Sequence, residues 1–351
     1  MQAVVLVGGA GTRLRPLTDT RPKPMMPLVD RPFVAHQLDL LRRHGVTDVI
    51  FSCGYRPDAL RAHFGDGDPS GVRLRYVVDP EPLGTAGAIK NAEPELDGTR
   101  FLVLNGDILT DLDLDAVAVA HRRTGADATV VLTPVDDPSA FGLVRLYPDG
   151  SVEAFVEKPA PEALRPGEPF RINAGTYLLE PSVLGRIPAG RACSIEREVF
   201  PALAEIGTLY GFPSEAYWRD IGTPASYLAA NRDVLSGAVR TESPTGEAYL
   251  APGADVEPGA RVGGLSSVGP GVAIGAGAVV EGSIIGAGTR VGEDAVVRDA
   301  IVGEGVSVGR GATLAPGAVV GDRATIGRGG AVDGLLPVPT GAELSGATDA
   351  L

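Results

Sequence analysis

The run Ala3-Val4-Val5-Leu6-Val7-Gly8-Gly9-Ala10-Gly11-Thr12-Arg13-Leu14-Arg15-Pro16, followed shortly by Pro22-Lys23-Pro24, sets the character of the chain. Five apolar residues ending in glycine read as a buried first strand. Glycine has no Cβ, so the backbone after the strand can turn sharply and approach a ligand closely. Backbone N–H groups freed in such a loop form a concavity suited to phosphate oxygens. Arg13 and Arg15 add forked cationic donors, and Lys23 adds a compact point charge. Two familiar phosphate loops do not fit. A Walker loop needs Lys and then Ser or Thr after its last glycine, where this chain has Thr12-Arg13. The dinucleotide fingerprint, counted from Gly9, meets Leu14 at its sixth position. The alternative is a tight strand-to-helix turn with a solvated basic flank.

Outward from this loop, one rhythm repeats. Phe33 to His44 carries apolar residues at helical spacing and stops at Gly45, and Val46 to Ser52 is the next strand. Alternating helix and apolar strand predict a largely parallel sheet. Pro57 to Phe64 reads as a short helix and Leu74 to Val78 as a strand. Glu81 to Ala88 is a second glycine-bearing loop, running into a helix through about Ala92. Free N–H donors at such a helix start favour an anion or the polar edge of a nucleotide; a capped loop is the alternative. Phe101 to Asn105 is an apolar strand closed by Gly106-Asp107. Ligands of parallel sheets sit beyond the carboxyl ends of strands, where Asp107 suits a hard cation such as Mg2+. Asp111, Asp113 and Asp115 read as a solvated loop and helix start.

Val152 to Val156 alternates and ends in Glu157-Lys158-Pro159. A glutamate can take two sugar hydroxyls and a lysine a phosphate; a surface ion pair is the alternative and stabilises little. Residues 160–169 form a Pro-rich excursion. Asn173 interrupts the apolar strand Ile172–Leu179 as a candidate buried polar contact. Ser194 opens a helix with a capping-box pattern that is imperfect at Arg197. Tyr217 to Gly222 sets the single tryptophan near Asp220, a candidate second metal ligand or a helix cap before Pro224.

At 351 residues the chain is long enough for two domains, and 44% hydrophobic content supplies ample core. A net charge of −13 argues against a nucleic-acid partner, and no basic run points to a membrane. Two cysteines, Cys53 and Cys193, cannot build a disulfide framework or a zinc site. The chain enters its first strand with no basic-then-apolar leader and has no apolar run of spanning length, so a cytoplasmic location is expected. Of 31 basic residues, only Lys23, Lys90 and Lys158 are lysines. In so Arg-rich a chain, a retained lysine marks a candidate site for a compact, rotatable ammonium; Lys90 reads as a chance survivor.

From about Gly237 the composition changes. Leu250, Val256, Val262, Val268, Ile274, Val280, Ile285, Val291, Val297, Val302, Val308, Leu314, Val320, Ile326 and Val332 recur at six-residue steps, shortened to five before Ile285 and Val302. Such a period with an inward aliphatic residue is the mark of a parallel β-helix, here about five coils. Solenoids of this kind often associate. Acyltransferases built on this repeat use a histidine base, yet His36, His44, His63 and His121 all precede it. The expected organisation is a Rossmann-like, mostly parallel sheet sandwiched by helices over 1–236, a linker over 237–249, a left-handed parallel β-helix over 250–335, and a loose tail over 336–351.

The ordered set GGAGTRLRPLTDTRPKPMMPLVDRP, EPLGTAGAI, LNGDI, FVEKP, INAGTYLL, SIEREVFP and YWRDIG resembles the sugar-1-phosphate nucleotidyltransferases, or nucleotide-sugar pyrophosphorylases. EPLGTAG, SIEREVFP and the hexapeptide C-terminus look most like the mannose-1-phosphate guanylyltransferase branch. The resemblance implies an Mg2+-dependent transfer from an NTP, with GTP favoured, to a sugar 1-phosphate, with mannose 1-phosphate favoured. By resemblance, Arg13 and Lys23 are catalytic, and Leu6, Gly8, Gly9, Gly11, Thr12, Gly84 and Thr85 bind the nucleotide. Gly142, Glu157, Lys158 and Asn173 would bind the sugar phosphate, and Asp107 and Asp220 the metal. It also implies a homo-oligomer formed through the β-helix. The alternatives are the same chemistry on another hexose or a valienol-type cyclitol phosphate, another NTP, or a non-catalytic regulatory subunit.

Overall fold

The computed structural model describes residues 1–54, 57–67, 71–165 and 169–346. Residues 166–168 of the Pro-rich excursion and 347–351 of the expected tail lie outside them. The chain forms two compact units, Met1–Gly9 with Gln37–Trp218 and Ala10–His36 with Arg219–Leu351. Residues 10–36 thus group with the C-terminal part of the chain.

The first unit is built on one nine-stranded sheet. Phe101–Asn105, Gln2–Leu6, Asp48–Cys53 and Arg73–Val78 lie side by side and parallel. Their near-continuous apolar runs are explained by burial on both faces. Val4, Ile50 and Val103 share one core with Ala86 and Ile89 of the helix Gly84–Asn91 and with Phe200 and Leu203. Beyond Phe101–Asn105 the sheet changes direction. Arg171–Leu179 runs antiparallel to both Phe101–Asn105 and Ala128–Pro134, and Gly142–Leu146 pairs antiparallel with Val152–Glu157. The sheet thus has the expected Rossmann-like parallel core, extended on one side by antiparallel strands. The linker between Leu146 and Val152 is too short for the crossover that parallel neighbours require.

In the second unit the repeat forms three parallel sheets of five, six and five short strands. Asp255 pairs with Ala273, and Ala273 with Arg290, so successive coils advance by eighteen and then seventeen residues. The five-residue steps fall at corners where Gly282 and Asp299 take left-handed backbone (φ 58° and 45°). The aliphatic rungs from Val268 to Val332 are buried together. Leu250, expected to point inward, is 48% exposed, because it stands on the first coil, with no rung beneath it to cover. The solenoid also runs past its expected end. Val338 bridges Val320, and Glu343–Leu344 pairs with Thr325–Ile326, so the tail expected from Leu336 continues the coil through Leu344. The helix Pro224–Ser236 is seated on the solenoid by Asn231, which donates to Leu265 O (3.3 Å), and by Arg232, which donates to Gly282 O (2.6 Å).

Candidate active site

In the first unit, Leu6 lies opposite Ser52 on one side and Asn105 on the other, so three strands end at one edge. Gly106 N–H donates to Leu6 O at 2.9 Å, which starts half-buried Asp107 at that edge. Gly8 packs backbone to backbone on Gly54; a Cβ on Gly8 would lie 3.1 Å from Gly54 N. Gly9 is exposed, with open space where its Cβ would be. Gly8, Gly9 and Asp107 therefore lie beyond the carboxyl ends of adjacent parallel strands.

Gly84 starts its helix with φ 68°, and a Cβ there would stand 2.7 Å from Cys193 O. Only glycine satisfies both demands. Next to it, Thr85 Oγ1 donates to Glu196 (2.7 Å) and accepts from Ile195 N–H (2.9 Å). Glu196 also accepts from Ser194 Oγ (2.7 Å) and from Tyr177 OH (3.4 Å). Asn173 is a polar contact of the expected kind: its Nδ2 donates to Tyr177 OH (2.8 Å), and its Oδ1 accepts from Gly175 N–H (2.9 Å). The ladder breaks between Asn173 and Tyr177, an irregularity that re-aims side chains at functional edges.

Gly142 lies directly opposite Glu157, whose Oε2 would be 3.0 Å from a Cβ on that glycine. Burial raises the Glu157 pKa, the Glu196 charge raises it further, and Lys158 and Arg197 pull it back. Lys158 is exposed, in left-handed backbone (φ 48°), with its N–H on Phe141 O at 2.8 Å. Thr85, Glu196, Tyr177, Asn173 and Glu157 thus form one polar cluster. Glu196 and Tyr177 were not singled out from the sequence. The signal was the imperfect cap: the opening turn Ile195–Val199 is a π turn, so Glu198, one residue beyond Arg197, closes the box by accepting from Ser194 N–H at 3.0 Å. Such turns recur at functional sites.

In the second unit, Gly11 takes φ 62° and introduces the short turn Thr12–Leu14. A Cβ on it would be 3.2 Å from Lys23 Cβ, so the glycine leaves room for the lysine stem. Thr12 and Arg13 are exposed, whereas Lys23 is only 9% exposed. Lys23 Nζ stands 3.9 Å from Asp220 Oδ1. Gly222 completes the group, since a Cβ there would lie 2.8 Å from Arg13 Nη2 and 3.0 Å from both Asp220 oxygens. Arg13, Lys23 and Asp220 therefore meet around Gly222. Asp220 is not a helix cap, because Thr223 caps Pro224–Ser236 through a box with Ser226. Lys90 binds Leu184 O (3.0 Å) and Glu93 (2.6 Å), a structural use.

Residues 2–237 match the family model described as nucleotidyl transferase, and residues 244–341 that described as GMPPB C-terminal domain. A mannose-1-phosphate guanylyltransferase of Mycobacterium tuberculosis is 41% identical over 290 residues, covering 81% of this chain and 79% of that protein. A mannose-1-phosphate guanyltransferase of Aspergillus fumigatus is 41% identical over 273 residues, 75% of this chain and 73% of its own. Among solved structures, HddC from Yersinia pseudotuberculosis complexed with GMP-PN superposes with a TM-score of 0.57 at 30% identity, covering 66% of this chain and 99% of that one.

Proposed function

The chain belongs to the nucleotidyl transferase family, and from that premise we propose that it transfers the guanylyl group of GTP to mannose 1-phosphate, releasing pyrophosphate. The names and 41% identity of the bacterial and fungal relatives support the sugar and the base. The nucleotide in the HddC complex also supports the base. The observation that carries the chemistry is Lys23, a buried ammonium beside Asp220 and next to Arg13.

A sugar-phosphate oxygen attacks the α-phosphorus of GTP, a new P–O bond forms, and the bond to the bridging oxygen breaks. The electron pair leaves with pyrophosphate. A phosphate dianion is already nucleophilic near neutral pH, so no general base is required, and catalysis is positioning and charge stabilisation. Lys23 offers a point charge to the α-phosphate, and Arg13 offers a fork to the leaving pyrophosphate. Leu6, Gly8, Gly9, Gly11 and Thr12 take the phosphates, Gly84 and Thr85 the nucleoside, Gly142, Glu157 and Asn173 the sugar, and Lys158 its phosphate. The family works with a divalent cation. Asp107 and Asp220, each at the end of a strand, offer the hard carboxylate oxygens that Mg2+ prefers, and we assign Mg2+ to them. When bound, the ion would neutralise phosphate charge. We also propose a cytoplasmic enzyme, where nucleoside triphosphates are abundant, and self-association through the β-helix.

The test is pyrophosphate release across four NTPs crossed with a panel of hexose and cyclitol 1-phosphates. GTP with mannose 1-phosphate should give the highest kcat/KM, and turnover should stop on chelation and return with Mg2+. Turnover that never uses GTP would remove the guanylyl assignment; a better hexose or cyclitol would replace mannose.

A further inference from the structure

The segment carrying Lys23 is tied down on both sides by polar groups of its own unit. Before the lysine, Thr20 and Arg21 both donate to Asp322 of the solenoid, Arg21 at 2.9 Å, and Arg21 also reaches Glu304. Asp322 in turn accepts from the Glu304 N–H at 2.8 Å. After the lysine, Tyr227 donates to Pro27 O and Ser243 to Asp30. Behind the segment lies a cavity of about 250 Å³, lined among others by Leu17, Met26, Tyr249, Ile285 and Val302. Leu14, Leu17, Met26 and Leu28 anchor the segment by burial, and the polar ties beside the cavity add direction to its placement.

Glu304 and Asp322 occupy the same corner of successive coils, three residues beyond the paired Ile301 and Val319. A planar guanidinium can span two such carboxylates at once, which an ammonium does less well. The Arg21 and Asp322 side chains are 18% and 5% exposed, so water competes weakly for the pair. Only Pro22 separates Arg21 from Lys23, and its ring fixes φ, here −70°. A shift of the clamp therefore passes to the lysine with little slack.

We propose that Arg21 is a positioning residue for Lys23, and that Glu304 and Asp322 make this corner of the solenoid part of the transfer machinery. The inference rests on the role for Lys23 proposed above.

The test is a double-mutant cycle in the full-length enzyme, using Arg21→Ala, Lys23→Ala and the double variant. Arg21→Ala should lower kcat by about 10- to 100-fold, the scale of a small misplacement, while both KM values stay within about threefold. Arg21→Lys should recover part of the loss. In the Lys23→Ala background, Arg21→Ala should cost nothing further. An equal loss in both backgrounds, or an unchanged kcat in Arg21→Ala, overturns the positioning role alone. If Lys23→Ala keeps full kcat, the role of Lys23 fails, and this inference with it. Should Arg21→Ala not fold, Asp322→Asn enters the same cycle with the same expectations.

Discussion

Lys23 shows how far a single residue could be read from sequence. Its type was informative because the chain uses arginine almost everywhere else. Its burial, its distance to Asp220 and the space left by Gly11 were not, since those depend on residues brought together by folding. Replacing Lys23 with Arg should remove most of kcat and leave the melting temperature nearly unchanged, because a planar, delocalised fork does not reproduce the compact point charge of an ammonium. Circular dichroism melting beside steady-state kinetics checks both halves. Glu196 is the opposite case. Its partners Thr85 and Tyr177 lie elsewhere in the sequence, so the local pattern shows only an imperfect cap and not the cluster it serves. Burial and then the Glu196 charge raise the Glu157 pKa, against Lys158 and Arg197. Glu196→Gln removes one raising cause, so Glu157 should ionise at lower pH. The acid limb of kcat/KM for the sugar phosphate should move to lower pH; a limb that stays put removes Glu157 from sugar binding.

At the scale of elements, periodicity predicted what repeats and missed what turns. The helix Phe33–Arg43 and the strand Asp48–Cys53 follow from apolar spacing. The antiparallel strands do not, because strand direction is decided by the connection and not by the run itself. The π turn at Ile195–Val199 left its trace only as a misplaced cap. The helix Phe33–Arg43 also carries a pH dependence. His36 Nε2 is 3.1 Å from Leu28 O. Full burial, with Arg31 adding to it, pushes the imidazole down to about 4, against the opposing pull of Leu28 O and Asp30. An unfolded histidine titrates near 6.5. The unfolded chain therefore binds the proton first as pH falls. The stabilising contribution is complete above about 6.5 and is lost as pH drops toward about 4. His36→Gln should lose roughly 2 kcal/mol less stability than the parent chain between pH 7 and 5 in urea titrations. Equal losses would show that His36 is not neutral in the folded protein.

At the scale of the whole molecule, the division into units is the least readable feature. Composition places a boundary near Gly237, and the two family models, 2–237 and 244–341, follow the same line. The packing instead groups Ala10–His36 with the solenoid. The links responsible, such as Arg21 with Asp322, join residues some three hundred positions apart, and side-chain pairing at that separation leaves no period in a single sequence. The hexapeptide repeat was readable because each rung restates the same burial. Among the described residues, no helix is long and apolar enough to cross a membrane. The central claim is a guanylyl transfer, and its products test it most directly. The protein, GTP, mannose 1-phosphate and Mg2+ should give, by phosphorus NMR, equal amounts of GDP-mannose and pyrophosphate. GTP left intact, or converted to GDP and inorganic phosphate with no new sugar diphosphate, would contradict it.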